Sequence, residues 1–242
     1  MFVELILLFI LGLFLGSYLN VLILRKEFSK TGGRSICPEC KTQLKWYDLI
    51  PLISFITLKG KCRYCKTEIS YQYPIVELLS GLIFITPFLF GLGIFESVVF
   101  IVSSLFLLVL SVQDIKNLEV SSQVLWSFVI IGFLFGIYGF IGSFDYEILI
   151  SGLILWLPFF CLSYFSSERL MGFGDAIVIF PIGFLIGSYI GVVSLFFLTF
   201  WLGALYSVVL LIFRRYKVFS IRVPLIPFIF LAYIYVYLYG VL

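Results

Sequence analysis

The sequence of 242 residues contains no histidine, and acidic and basic residues together make up only 12% of it. The absence of histidine excludes a Ser-His or Cys-His nucleophilic pair and every catalytic metal site built on imidazole ligands. Hydrolytic chemistry would therefore depend on carboxylates, on lysine, or on a serine with an unusual base. The net charge of +3 does not require a nucleic-acid partner.

Hydrophobic residues make up 62% of the chain, against about 45–50% in soluble domains. The apolar runs are roughly 17 to 22 residues long, which suits a helix that crosses a bilayer, and they lack the alternation of outer-membrane strands. We predict an all-α polytopic membrane protein with about eight transmembrane helices. The first run has no basic residue before it, so we interpret it as a retained span. The predicted spans are 3–23, 74–93, 96–113, 122–142, 147–165, 176–190, 191–212 and 223–241.

The basic residues predict the orientation, because lysine and arginine are retained on the cytoplasmic side during insertion. All sixteen lie in alternate connections between the predicted spans. We therefore expect both termini outside and the basic connections in the cytoplasm of a bacterial inner-membrane protein. The chain divides into a first helix (1–24), a cytoplasmic segment (25–73) and a membrane domain of seven helices (74–242).

The cytoplasmic segment contains two C-x-x-C pairs separated by 21 residues. Two such pairs form knuckles that present four thiolates tetrahedrally to Zn²⁺, and a metal explains how so small a segment folds. Two disulfides are the alternative, which a reducing cytoplasm disfavours. Four thiolates leave no open coordination position, so we expect a structural zinc. Its predicted ligands are Cys37, Cys40, Cys62 and Cys65.

Two aspartates lie at the cytoplasmic ends of predicted spans: Asp114 in SVQDIKN and Asp175 in MGFGDA. Two carboxyls within about 3 Å share a proton, so one acts as general base toward water and the other as acid toward the leaving group. We expect Gly172 and Gly174 to allow close backbone approach through φ values closed to other residues. The alternative is that each aspartate only ends or begins a helix.

The helix dipoles suggest roles for the two aspartates. Asp114 is predicted at a helix C-terminus, where the dipole disfavours an anion, and Asp175 at an N-terminus, where it favours one. We therefore expect Asp175 to carry the charge and to act as the base. Asp114 would hold the shared proton.

Three stretches together resemble a known family: GSYLNVLILR (16–25), the block from Cys37 to Glu77 with WYDLIP between its cysteine pairs, and Asp114 with GFGD. The chain resembles the bacterial type IV prepilin peptidases, which are also leader peptidase/N-methyltransferases. The resemblance implies that Asp114 and Asp175 catalyse removal of the leader of prepilins or pseudopilins after a glycine. It also implies N-methylation of the new terminus with S-adenosylmethionine as donor.

The chain departs from the family pattern at three places. An Ile-Pro pair usually follows the first catalytic aspartate, and Val120-Ser121 stands there in this chain. Gln72 stands where the family has an arginine before Tyr-Pro. Near the last span, PLIP at 224–227 stands where the family has Pro-Phe-Gly-Pro. The aspartates are intact, so these departures bear on substrate preference and methyl transfer more than on peptidase activity.

Two other classes of protein compete with the peptidase interpretation. A presenilin-like intramembrane protease shares the G-x-G-D aspartate, but its partner aspartate follows tyrosine, whereas Gln113 precedes Asp114. A non-enzymatic transporter or scaffold with a zinc domain would require charged residues near mid-membrane on several spans. The two candidate aspartates of this chain lie at one predicted face instead.

Three further acidic residues are candidates for a substrate or methylation site. Glu119 and Glu168 would attract the basic leader of a substrate, or they would pair in solvent with Lys116 and Arg169. Glu77 begins the second span, where a carboxylate is costly without a partner. It would lie at the mouth of the active cleft or place the amine to be methylated, or it would pack against a loop cation.

Charge reversal tests the two candidates for leader binding. If Glu119 and Glu168 attract the leader, Glu119→Lys combined with Glu168→Lys should raise the apparent KM for a basic leader about 3- to 10-fold at low salt, because long-range attraction becomes repulsion. Steady-state cleavage of leader peptides with and without lysine measures this effect. An unchanged KM would favour the surface pairs.

Overall fold

The computed structural model describes residues 2–25, 35–167, 171–213 and 223–240 of the chain. Within these residues the regular structure is helical, and extended pairing is limited to two isolated bridges. A short 3₁₀ turn, Trp46–Leu49, lies in the segment between the first two long helices. The described α-helices are Phe2–Arg25 (α1), Ile53–Thr57 (α2), Gln72–Leu89 (α3), Ile94–Asn117 (α4), Ser122–Ser143 (α5), Tyr146–Phe165 (α6), Phe173–Ile186 (α7), Tyr189–Phe213 (α8) and Ile226–Gly240 (α9).

The eight long helices correspond one to one with the eight predicted spans, which confirms the all-α membrane fold. Six of them are long and apolar enough to cross a bilayer. The other two, α7 and α9, are apolar but have only 14 and 15 residues. A helix rises about 1.5 Å per residue, so these two cover little more than 20 Å each.

Two predicted boundaries are wrong in ways that affect the candidate site. The sixth span was expected at 176–190, but α7 begins at Phe173 and ends at Ile186, because Gly187 adopts a left-handed conformation with φ of 65°. The third span was expected to end at residue 113, but α4 continues to Asn117. Asp114 therefore lies inside the last turn of α4, and Asp175 lies inside the first turn of α7.

The described chain forms two compact units, Met1–Ser97 and Val98–Leu242. In the first unit, α1 packs along α3 through small residues. A Cβ added at Gly12 would lie 2.6 Å from the Ser80 carbonyl oxygen, and one added at Gly16 would lie 2.7 Å from Glu77 Cα. These glycines bring the two backbones into direct contact, as small residues do where membrane helices cross.

In the second unit, α7 packs against both α5 and α6. Cβ atoms added at Gly132 and Gly136 would lie 2.6 Å from the Cβ atoms of Pro181 and Phe184 on α7. Gly183 of α7 meets α6 backbone to backbone. The spacing of Gly132 and Gly136, four residues apart, thus marks a close helix crossing.

Replacing glycine by alanine at two helical positions tests the α6–α7 contact. A Cβ at Gly183 would lie 2.7 Å from Gly152 Cα, whereas a Cβ at Gly142 would meet nothing within 4 Å. Gly142→Ala should be neutral or stabilising by up to about 1 kcal/mol, because alanine favours helix. Gly183→Ala should lower the melting temperature, because backbone cannot move aside as a flexible side chain can. Thermal unfolding of both variants in the same detergent measures the difference, and equal stabilities would contradict it.

Candidate active site and metal centre

The two C-x-x-C pairs fold into two knuckles with the same local structure. The Cys37 N–H donates to the Thr42 carbonyl at 3.0 Å, and the Cys62 N–H donates to the Thr67 carbonyl at 2.8 Å. The lysine after each second cysteine is left-handed, with φ of 56° and 63°. The sequence signal for this repeat is C-x-x-C-K-T, which occurs in both pairs.

The four cysteine side chains of the knuckles converge on one point. Their Sγ atoms all lie within 4.8 Å of one another, and the Cys37 and Cys65 sulfurs are 3.9 Å apart. A Zn–S bond of about 2.3 Å places tetrahedral sulfurs about 3.8 Å apart, so the thiols fit a zinc ion. All four thiols are free. The predicted four-cysteine cluster is confirmed, and the disulfide alternative is wrong for these residues.

The segment between the knuckles is bound to the second knuckle by a buried carboxylate. Asp48, in the 3₁₀ turn, accepts a hydrogen bond from Arg63 Nε at 2.7 Å and another from the Lys45 N–H at 3.2 Å. The Asp48 side chain is 1% exposed, and its hydrogen bond raises the pKa of Arg63. The Arg63 guanidinium also lies over the Tyr47 ring, 5.0 Å from its centroid. A charged pair with one buried member fixes the turn against the knuckle.

Glu77 binds the same segment to the membrane helices. Its carboxyl lies buried in α3 and accepts the Leu52 N–H at 2.9 Å, together with a hydrogen bond from the Ser17 side chain of α1. Leu52 has a left-handed backbone with φ of 60°. Among the described residues, then, the partners of Glu77 are a backbone amide and a hydroxyl. A role at the active cleft or in methylation stays a prediction.

A second polar contact lies nearby, where α1 meets the start of α3. Asn20 is buried, and its side-chain amide donates to the carbonyls of Gly16 and Tyr73, each at 3.2 Å. Gln72 donates to the Asn20 side-chain oxygen at 3.1 Å. The residue that replaces the family's arginine therefore takes part in joining α1 to α3.

Asp114 is buried in the last turn of α4, where the start of α9 caps its carboxylate. Its Oδ2 accepts the Ile226 N–H at 3.1 Å, and the Leu225 backbone also donates to it. These amides belong to the N-terminal turn of α9, which has no intrahelical acceptors for them. We did not predict this contact, because it joins residues 112 positions apart; its one local signal is the pair of prolines at 224 and 227.

Asp175 lies in the first turn of α7 and is half-buried. Its carboxyl accepts a backbone hydrogen bond from Gly172 and lies close enough to Asp114 to interact with it electrostatically. The structure therefore brings together the two aspartates that were singled out from the sequence. Both carboxyls sit at helix N-termini, Asp114 at that of α9, so the dipole argument no longer distinguishes their roles.

The two glycines before Asp175 do not have the backbone conformation that we expected. Gly172 has φ of −67°, and Gly174 is an ordinary helical residue of α7. The expectation of φ values closed to other residues is therefore wrong. A Cβ at Gly174 would lie 3.7 Å from Val120, and one at Gly172 would lie 3.6 Å from Asp175 Oδ2. Gly172 thus leaves the space beside the Asp175 carboxyl open, whereas Gly174 faces the Val120 side chain.

The connection after Asp114 is held by its neighbour, Gln113. Gln113 is fully buried, and its Oε1 accepts the Ser121 N–H at 2.9 Å. Its Nε2 is buried without a hydrogen-bond partner among the described residues. A proline in place of Ser121, as in the family pattern, could not donate this bond.

The remaining acidic candidates give less information. Glu119 is exposed in the connection between α4 and α5. Glu168 lies outside the described residues, as does Arg169. Their part in binding a leader stays a prediction.

Two family models match the chain. The Bacterial Peptidase A24 N-terminal domain matches residues 10–90, which include both knuckles, and the Type IV leader peptidase family matches residues 101–208, which include both aspartates. A Prepilin leader peptidase/N-methyltransferase from Pectobacterium carotovorum is 30% identical over 207 residues, covering 74% of this chain and 73% of that protein. The chain belongs to the type IV leader peptidase family.

Two more members of the type IV leader peptidase family show how the similarity is distributed. The Vibrio cholerae protein of the same name is 30% identical over 77% of this chain and 79% of its own length. The Myxococcus xanthus protein is 49% identical over 79 residues, which are 32% of this chain and 24% of that protein. No solved structure matches the chain. Membership of the type IV leader peptidase family decides against the transporter and presenilin-like alternatives.

Thiol alkylation tests the electrostatics of the metal centre. The Thr67 hydroxyl, 3.2 Å from the sulfur, lowers the pKa of Cys65 to about 6. In metal-free protein at pH 7, Cys65 should therefore be mostly thiolate and should react readily with iodoacetamide. Thr67→Val should raise the pKa and slow the reaction several-fold at pH 7. Peptide mass spectrometry measures each rate.

Zinc added before the reagent provides the control for alkylation. Bound thiolates should be protected at all four cysteines, whereas Cys161 of α6 should react equally with and without the metal. Equal rates at Cys65 in the wild type and in Thr67→Val, both metal-free, would contradict the hydrogen-bond effect.

Proposed function

We propose that the chain is a membrane aspartic endopeptidase that removes the short leader of type IV prepilins or pseudopilins after a glycine. Methylation of the new N-terminus from S-adenosylmethionine follows. The observation that carries the proposal is the electrostatic interaction between Asp114 and Asp175, which lie on two helices and are 61 positions apart in the sequence. Family membership and the names of the relatives support both activities.

The dyad supplies both proton transfers of peptide hydrolysis. One carboxylate takes a proton from water as the water oxygen attacks the scissile carbonyl carbon. The other carboxyl gives its proton to the leaving nitrogen as the C–N bond breaks. Two adjacent carboxyls provide one ionised and one protonated group at the same time, because their repulsion is relieved when they share one proton.

The surroundings of each carboxyl keep the dyad in place. Asp114 is held by amides at the start of α9, so its orientation depends on that helix. Asp175 is held by the first turn of α7, which the glycine contacts with α5 and α6 position. Gly172 leaves the space beside the Asp175 carboxyl without a side chain of its own, and we propose that the extended cleavage site lies there.

The zinc centre has a structural role in this proposal. Four thiolates complete its tetrahedral shell, so no position is left for substrate or water. Methyl transfer is assigned to the cytoplasmic segment 25–73 by elimination, since the chain has no glycine-rich nucleotide loop. When bound there, S-adenosylmethionine would supply the methyl group.

We propose the orientation and the three-part division that the basic residues indicate. Both termini lie outside, and the zinc segment and the dyad face the cytoplasm of a bacterial inner membrane. Lys116 lies in the last turn of α4, close in sequence to Asp114, and Arg169 lies in the connection that precedes α7 and Asp175, which supports one common side. A prepilin whose leader remains in the cytoplasm would reach both activities.

Substitution of each aspartate tests the function. Asp114→Asn and Asp175→Asn should each lower kcat for leader cleavage by about 10²- to 10⁴-fold, because an amide neither accepts nor donates the required proton. The assay mixes purified protein in lipid vesicles with an uncleaved prepilin and labelled S-adenosylmethionine. Gel mobility reports cleavage, and label in the mature chain reports methylation.

The matched control for these variants is Asp145→Asn, the same chemical change at an exposed helix cap. It should cleave like the wild type, because asparagine also caps helices well. Wild-type cleavage by both dyad variants would leave the aspartates as helix-end residues and would refute the proposed function.

A further inference from the structure

We propose that the segment Trp46–Thr57 docks on the anionic lipid headgroups of the membrane that the chain spans. This inference rests on the topology given above and goes beyond the peptidase and methyltransferase activities. The segment comprises the 3₁₀ turn Trp46–Leu49 and the helix α2. Its position, exposed side chains and charge all fit a lipid surface.

The hydrogen bond of Glu77 fixes the depth of this segment. Glu77 lies five residues into α3, which places it about 7.5 Å along the helix axis from Gln72. Because the Leu52 N–H donates to the Glu77 carboxyl at 2.9 Å, Leu52 lies within the reach of that side chain from this height. A spanning helix of 18 residues is about 27 Å long, close to the hydrocarbon thickness, so Gln72 lies near the boundary between headgroups and acyl chains. Leu52 then lies at most about 7.5 Å on the acyl side of that boundary, within the roughly 5–10 Å that interfacial helices reach.

A second contact sets the direction of α2. The Phe55 ring packs against Tyr71, which precedes the first residue of α3, with ring centroids 5.5 Å apart. Leu52 is thus held beside the second turn of α3 and Phe55 beside its start. The helix α2 lies along the first turns of a membrane helix, within the interfacial layer.

The side chains turned away from these anchors are large and apolar. Trp46 is 76% exposed, Ile53 58% and Ile56 71%. Trp46 and Leu49 are three apart in a 3₁₀ turn, and Ile53 and Ile56 are three apart in α2, so each pair shares a face. Tryptophan and aliphatic side chains of this kind favour the interface of a bilayer over water.

Charge complementarity identifies the lipid class. Lys45, Lys59 and Lys61 are exposed directly before and after the segment, and its one acidic residue, Asp48, is buried with Arg63. Within residues 45–61 the exposed charges are therefore positive; the exposed Glu68 lies opposite Lys61 across an isolated bridge, outside this range. Each basic residue near an anionic surface contributes about 1 kcal/mol of attraction. Exposed apolar side chains flanked by lysines are typical of a segment that lies in the headgroup region of a bilayer.

Tryptophan quenching tests the proposal in the full chain. Trp126, Trp156 and Trp201 are replaced by phenylalanine, and the protein is placed in nanodiscs with 30% or without anionic phosphatidylglycerol. Phospholipid brominated near the headgroup should quench Trp46 roughly twofold in anionic discs, because heavy-atom quenching requires contact. Acrylamide should quench Trp46 less in discs than in detergent.

The chain offers a matched reference in Trp201, which is 65% exposed near the middle of α8. A variant retaining Trp201 alone should be quenched best by lipid brominated deep in the acyl chain. Lys59→Gln with Lys61→Gln should remove most of the extra quenching of Trp46 in anionic discs. Zinc content verifies that each variant retains the folded knuckles.

Three results would overturn the inference. The first is full acrylamide access to Trp46 in discs with no effect of brominated lipid. The second is equal quenching with and without phosphatidylglycerol. The third is shielding that develops only when a prepilin peptide is added, which would assign the face to substrate. Leader cleavage, measured in the same discs, reports separately on the proposed function.

Discussion

Buried carboxylates in this protein are held mainly by backbone amides. An unpaired charge inside a membrane protein is costly, and in the described chain the partners of Glu77, Asp114 and Asp175 are N–H groups, with one hydroxyl for Glu77. The amides that bind Asp114 come from the start of a helix, where donors lack intrahelical acceptors. Backbone amides thus allow a chain with few basic residues and no histidine to bury carboxyl groups without a cationic partner. The exception is Asp48, in the zinc segment, which uses Arg63 as well.

This constraint links distant parts of the sequence. The first turn of α9 completes the surroundings of Asp114, and the glycine contacts of α7 with α5 and α6 place Asp175. The position of the two aspartates therefore depends on α5, α6 and α9, which carry neither of them. The two short helices, α7 and α9, both begin beside a carboxylate. Asp175 lies in the first turn of α7, and the first amide of α9 binds Asp114.

Hydrophobic run length, C-x-x-C spacing and the two aspartates predicted the eight long helices, the cysteine cluster and the meeting of Asp114 with Asp175. These features depend on local pattern. The Leu52–Glu77 and Ile226–Asp114 contacts could not be predicted. Their donors are backbone amides, which almost every residue has, so the residue type of the donor does not reveal the contact. The φ assigned to the glycines before Asp175 was wrong because a G-x-G motif does not distinguish a left-handed residue from one with an open face.

The zinc knuckles also determine how far the segment between them can move. A metal bound to both knuckles closes a loop across the 21 residues between Cys40 and Cys62, and that loop contains Leu52. Loop closure lowers the entropy of the segment before any contact with α3 is made. A bound ion would thereby raise the effective concentration of the Leu52 amide at the Glu77 carboxylate. A metal with no catalytic position would act at a distance, by making one hydrogen bond at the membrane surface easier to form.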